Sequence, residues 1–476
     1  MQASPGKRYS LLSFDGGGMR GYSSMLILER LMDNIRKIES NSTDLQSLLK
    51  DVPGADCSPA ESSFHPHQCP PGIERPGTDV NKFLPCHYFD CIIGTSTGGL
   101  ISIMLGRLRM TVTDARSQYE MLGQKIFGSP RWFHYRSFPP WFNHKYDHEK
   151  LNNVVKDVTK FYDSSDDGPH GFPNASFNKT DYGVCSTIVA ALGKVYDAQQ
   201  IPIKKNGVEL GQVNYLFRTY DSPIKKQPSD LDSGKAFKGT VWSVARACTA
   251  APTYFVPKEI EALNGNIWRF KDAGLVLQNP TQEGIEELLG WIPHNLHNKA
   301  FNAVLSIGTG STEPRGYFGP GNPGGFLDML ATFWAGFRPA NHEKVHEDME
   351  KAFNSHGEKT YWRLNSESEE WSQIMLDQWD HDTMTTMEKL TRVYLERKEI
   401  KRYIQECAER LVKQRRQRQL HKDEWERFAL AVEYRCTAPG CFNHYNIKGD
   451  MENHVERCHP GHQFEPERHI WNYTHE

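Results

Sequence analysis

Four short patterns in this 476-residue chain hold side chains that could do chemistry. The first is Ser96, within Gly94-Thr95-Ser96-Thr97-Gly98. Small residues at this spacing let a strand turn abruptly into a helix and hold a hydroxyl clear of the backbone, as a nucleophilic serine requires. The second is Asp272, followed by Ala273 and Gly274. A carboxylate with only small residues beyond it can approach a serine closely and, if poorly solvated, act as its base. The third is Asp15-Gly16-Gly17-Gly18-Met19-Arg20-Gly21. A run of backbone N–H groups opening a helix forms an anion cradle, which acyl transfer to a serine needs for its oxyanion. The fourth is Cys436-x4-Cys441-x12-His454-x4-His459, two ligand pairs at the spacing of a zinc-binding hairpin and helix. Cys458 competes with His459 as the fourth ligand there.

These residues need elements to position them. Tyr9 to Phe14 reads as a strand running into the glycine loop, and Met25, Leu28, Leu31, Met32 and Ile35 mark one face of the helix beyond it. Tyr88 to Ile93 feeds the Ser96 turn, and Gly99 to Leu105 leaves it with helical apolar spacing. Further buried strands are expected at Gly183–Ala191, Tyr215–Tyr220, Ile267–Phe270 and Val304–Ile307, with helices between them such as Trp242–Cys248 and Ile285–Leu289. Alternating strands and helices predict an α/β sheet covered by helical layers. Residues 39–80, rich in Ser, Pro, Gly and Asp, are expected to be a flexible insertion. After about residue 340 the pattern becomes helical and charged, and the last forty residues are a separate unit.

Each pattern has a rival reading. Gly16 to Gly21 also satisfies GxGxxG, but a dinucleotide site needs a second strand about 20 residues on, ending in an acid for the ribose. Here the helix runs into the polar 39–80 segment instead. An isolated Asp-x-Gly is usually a turn cap. A Ser-His-Asp triad stays open, since His294 and His297 follow Asp272 in the order of α/β-hydrolases.

Bulk composition excludes several classes. A net charge of −3 supplies no field that would draw the chain to nucleic acid. Ten cysteines are an ordinary density for a reduced compartment, and Cys57, Cys69, Cys86 and Cys91 have no ligand spacing. The polar first ten residues hold no apolar core of a leader peptide, and no run of about 18 apolar residues could span a bilayer. A cytoplasmic protein is expected, making at most transient contact with membrane surfaces.

Taken together and in this order, the three motifs of residues 8–310 resemble the patatin-like phospholipase family, related to cytosolic phospholipase A2. The glycine-rich loop with its Arg20, the elbow Gly94 to Gly98, and the Asp272-Ala273-Gly274 motif (with alanine in the middle) each match. Ala245 to Phe255 and Ser306 to Gly310 match segments flanking the family's aspartate. The resemblance implies a three-layer α/β/α fold and a Ser96–Asp272 dyad that needs neither histidine nor cofactor. In it Ser96 attacks an ester, Asp272 takes its proton, and the Gly17 and Gly18 amides hold the oxyanion. Arg20 orders the loop, and water releases the acyl group. A phospholipid or related glycerolipid is the substrate it implies.

The expected domains are an acyl hydrolase at 8–310, a mainly helical extension at 311–430, and a small ββα-like zinc finger at 431–465. Tyr434 and Met451 fall where such a finger places its core. One finger contacts little nucleic acid, so a protein partner suits it better. Arg410, Lys413, Arg415, Arg416 and Arg418 form a basic cluster, read as a solvated helix face balanced by nearby acids. Aromatic and basic residues alternate over 130–146, either as a lipid-facing rim or as packing of a proline-rich loop. The competing function is an interaction protein with a vestigial hydrolase fold, whose finger recruits partners.

Overall fold

The computed structural model describes residues 8–60, 62–63, 83–128, 130, 144–162, 174–178, 185–205, 208–224, 232–262, 265–311, 340–354, 359–420, 433–441, 443–445, 448–462 and 467–469. Its centre is an eight-stranded mixed sheet. Strands β1 (Tyr9–Phe14), β2 (Cys91–Thr95) and β3 (Ser186–Tyr196) lie side by side and parallel. β9 (Phe301–Ile307) and β10 (Tyr361–Leu364) extend the parallel set beyond β1. On the other side β6 (Val213–Arg218) and β8 (Ile267–Lys271) pair antiparallel with β3, and β7 (Lys258–Glu261) forms the far edge.

Both faces of the parallel strands are covered, which is why they read as unbroken apolar runs. Alternate residues divide between two cores. Leu12, Phe14 and Ile92 join the larger one, with α1 (Gly21–Glu39), α4 (Val112–Phe127), α5 (His148–Tyr162) and the later helices His381–Leu395 and Lys398–Arg418. Leu11, Cys91 and Ile93 face the smaller core, with Ile285 and Leu288 of α7 (Thr281–Leu289). This is the expected α/β/α layering. No helix among the described residues is long and apolar enough to cross a membrane.

Two expectations need correction. The 39–80 segment begins with α2 (Ser42–Leu48), capped by the Asn41 side chain, and buries Leu45, Leu49 and Val52. The rest of it lies largely outside the described residues. Beyond residue 310 the described residues up to Leu420 are mainly helical, with β10 added to the main sheet and the helix Lys398–Arg418 packed along α1.

The basic cluster is not a solvated face either. Arg415, Arg416 and Arg418 are buried. Arg415 and Arg416 both pair with Glu39 at the end of α1, and Arg418 pairs with Asp90 just before β2. Tyr88 also donates to Glu39 at 3.1 Å. Helical spacing cannot distinguish a solvated arginine from one satisfied by a distant carboxylate. The 130–146 segment lies mostly outside the described residues; its end, Tyr146, is buried and donates to Asp377.

Candidate functional site

Ser96 sits between β2 and α3 (Thr97–Ser102) with φ 56° and ψ −126°. A left-handed conformation is costly for a residue with a side chain, about 1–3 kcal/mol, so surrounding structure must hold it. The glycines explain how. A Cβ on Gly94 would lie 2.0 Å from the Gly98 carbonyl oxygen, and one on Gly98 would lie 2.4 Å from that of Phe14. The elbow therefore packs directly on the end of β1, beside the glycine loop.

Asp272 follows β8, and its backbone N–H is held by the Ala250 carbonyl at 3.1 Å. Ser96 Oγ donates to Asp272 Oδ2 at 2.5 Å, and the Gly274 amide donates to Oδ1 at 2.8 Å. The two side chains, 176 positions apart, meet and are almost wholly enclosed. Burial raises the Asp272 pKa to about 6, while the bonds from Ser96 and Gly274 pull it back. Such a carboxylate is ionised at neutral pH yet more basic than a solvated one. No histidine hydrogen-bonds Ser96 or Asp272 among the described residues. His294 and His297 stack on one another, and His297 contacts the Ile292 carbonyl.

The glycine loop between β1 and α1 lies against the elbow. Its amides are divided in their use. Gly16 N–H donates to the Gln278 carbonyl, Met19 N–H to the Leu376 carbonyl and Arg20 N–H to the Gly17 carbonyl. The Gly17 and Gly18 amides have no partner among the described residues. Gly18 has φ +57°, and a Cβ there would meet the Leu376 carbonyl at 2.2 Å, so both conformation and space call for glycine. The Arg20 guanidinium donates to the Ile374 carbonyl. Among the described residues α1 leads into α2 and no strand comes before β2 at Cys91, so the strand about 20 residues beyond the glycine loop that a dinucleotide site uses to carry its ribose acid is not seen there.

A pocket opens from Ser96, Asp272 and Gly18 and runs between Leu100, Leu122, Ile126, Phe127, Leu151, Tyr254, Phe255 and Leu376. Its walls suit a hydrocarbon chain. Asp377 lies at its border, paired with Lys145 and accepting from the Tyr146 hydroxyl. Leu376 and Asp377 carry no local motif, which is why a sequence reading passes over them.

With that geometry in view, comparison with known proteins is direct: residues 79–285 match the family model of patatin-like phospholipases. Over that span the chain is similar to the patatin-like phospholipases. It is similar to Phospholipase A I of Arabidopsis thaliana, 26% identical over 341 residues covering 65% of this chain and 21% of that protein. Patatin-like protein 1 of Oryza sativa subsp. indica is 23% identical over 341 residues, 66% of this chain and 62% of its own length. Calcium-independent phospholipase A2-gamma of Mus musculus is 25% identical over 236 residues, 48% of this chain and 25% of that protein. The chain therefore spans between about a fifth and three fifths of these relatives. The patatin-like match covers the elbow and Asp272, while the glycine loop lies before it.

The C-terminal unit has its own candidate centre. β11 (Glu433–Arg435) and β12 (His444–Tyr445) form a hairpin, the helix Lys448–Cys458 follows, and a third strand (Glu467–His469) pairs with the free edge of β11. Tyr434, Met451 and Val455 are buried. The ligand atoms of Cys436, Cys441, His454 and His459 all lie within 4.8 Å of one another. Cys441 Sγ is 3.3 Å from His454 Nε2, and His459 Nε2 is enclosed with no hydrogen-bond partner among the described residues. Cys458 is exposed and stands outside this group. Two sulfurs and two imidazoles converging on one point fit a tetrahedral zinc ion.

Proposed function

We propose that this protein is a lipid acyl hydrolase of the phospholipase type, working through a Ser96–Asp272 dyad. The observation that carries the reading is the Ser96 Oγ to Asp272 Oδ2 hydrogen bond, beside the unpartnered amides of Gly17 and Gly18 and at the head of an apolar pocket. In the first step Ser96 Oγ attacks the ester carbonyl as Asp272 accepts its proton. The carbonyl oxygen gains negative charge and is stabilised by the Gly17 and Gly18 N–H groups. The C–O bond to the glycerol breaks, and the alkoxide takes the proton from Asp272, leaving an acyl-Ser96 ester. Water then repeats the sequence: Asp272 accepts its proton, the hydroxide adds to the acyl carbon, and Ser96 departs protonated. Neither half requires a metal, and the ionised state of Asp272 at neutral pH suits both.

The apolar walls favour a long acyl chain, and the relatives named as phospholipases favour a phospholipid or related glycerolipid. Such a substrate brings the protein to membrane surfaces transiently from the cytoplasm. The four C-terminal ligands would hold one zinc ion as a structural clip for a unit too small to fold on its apolar core alone. A unit of this kind suits a protein partner.

A panel of phospholipids and neutral glycerolipids, incubated with the protein and with Ser96→Ala, tests the reading. Fatty acid release that depends on Ser96 is expected. Intact binding to lipid or protein with no Ser96-dependent release would instead favour an interaction protein on a vestigial hydrolase fold.

A further inference from the structure

Strand β10 lies beyond both the match to the family and the expected domain boundary at residue 310, yet it reaches the glycine loop. Arg363 Nη1 and Nη2 donate to Asp15 Oδ1 and Oδ2 at 2.9 and 2.5 Å, and Nη1 also donates to Ser306 Oγ at 2.8 Å. Both side chains of the ion pair are buried, at 7% and 1% exposure. Asp15 is the residue immediately before Gly16, and its own N–H is held by the Ile307 carbonyl. The carboxylate is thus gripped by a planar fork two residues before the first unpartnered amide.

We propose that Arg363 is a positioning residue for the oxyanion-binding loop, acting through Asp15; the proposal rests on the hydrolase reading above. Three features carry it. The contact is bidentate, so it fixes the orientation of the Asp15 carboxylate as well as its place, which a lysine could not do. The pair is buried, so water cannot substitute for the arginine. The hydroxyl chain behind it, Ser306 to Thr281 to Ser13, ties the guanidinium to β9, α7 and β1, a rigid base for the loop. The same C-terminal stretch grips the loop again farther on, where the Leu376 carbonyl accepts from Met19. Segments outside the family match therefore complete the site.

The test compares wild type with Arg363→Lys and with the double variant Asp15→Asn/Arg363→Met, which leaves no lone buried charge. Each is assayed on a soluble nitrophenyl ester for kcat and KM, and for binding of a trifluoromethyl ketone, whose adduct with the serine carries an oxyanion. Thermal melting identifies the folded variants. The expected result for the folded double variant is a fall in kcat of about a hundredfold, with KM little changed and ketone affinity lost in step with kcat/KM. Arg363→Lys should fall between the two. A fall of less than about tenfold in kcat, or a loss confined to KM, overturns the role of Arg363. Wild type that neither turns over the ester nor binds the ketone refutes the hydrolase reading itself, a separate result.

Discussion

Asp272→Asn should make the protein more stable at pH 8 while removing its turnover. Burial raises the pKa of this carboxyl from 3.8 to about 6. Between those values the unfolded chain is ionised where the folded one holds a proton, and below 3.8 both are protonated. The favourable contribution of the protonated acid is therefore fully present below 3.8 and is lost as pH rises through 6. At about 1.4 kcal/mol per pH unit the complete loss is about 3 kcal/mol, of which about 1 kcal/mol is already gone at pH 4.5. An asparagine does not titrate. The stability difference between variant and wild type should thus grow in the variant's favour by about 2 kcal/mol from pH 4.5 to pH 8. Urea unfolding of both proteins at the two pH values measures it. A difference that stays constant, or shrinks as pH rises, would refute the claim that Asp272 is a desolvated carboxylate.

Further outcomes follow from the same geometry. The rate kcat/KM should fall about tenfold per pH unit below pH 6 and level off above it, because Asp272 must be ionised to accept the Ser96 proton; a pH–rate profile on a neutral ester checks this. Glu39→Gln leaves Arg415 and Arg416 buried without their shared carboxylate. Denaturant unfolding should register a loss of about 3–5 kcal/mol. Gly98→Ala should abolish turnover, since its Cβ would lie 2.4 Å from the Phe14 carbonyl oxygen and displace the elbow. Metal analysis of the full chain should find about one zinc, lost in Cys441→Ser and retained in Cys458→Ser, because only the former belongs to the converging ligand group.

Much of this fold and site is legible in the sequence where the signal is local. β1, β2 and β9 announce themselves as apolar runs because helices cover both faces of the sheet. Ser96 and the glycine loop are visible because close packing at a turn excludes side chains, and that exclusion is written in consecutive residues. Asp272 is weaker in isolation and gains its meaning from the other two. The ligand pairs of the finger are legible because metal geometry fixes their spacing.

What escapes is whatever depends on a partner far along the chain. Tyr361–Leu364 is too short and too mixed to read as a strand, since Arg363 looks like a surface charge until Asp15 is placed against it. Arg415 and Arg416 look solvated for the same reason, their carboxylate lying at the far end of α1. Leu376 enters the site through a backbone carbonyl, a group every residue has.

The most direct test of the Ser96–Asp272 dyad is the rate and place of covalent labelling by a fluorophosphonate, followed by intact mass and peptide mapping. One adduct should form, on Ser96, with Ser96→Ala unreactive and Asp272→Asn labelled at least about a hundredfold more slowly. An adduct on another residue, or labelling of folded Asp272→Asn at the wild-type rate, would contradict the account.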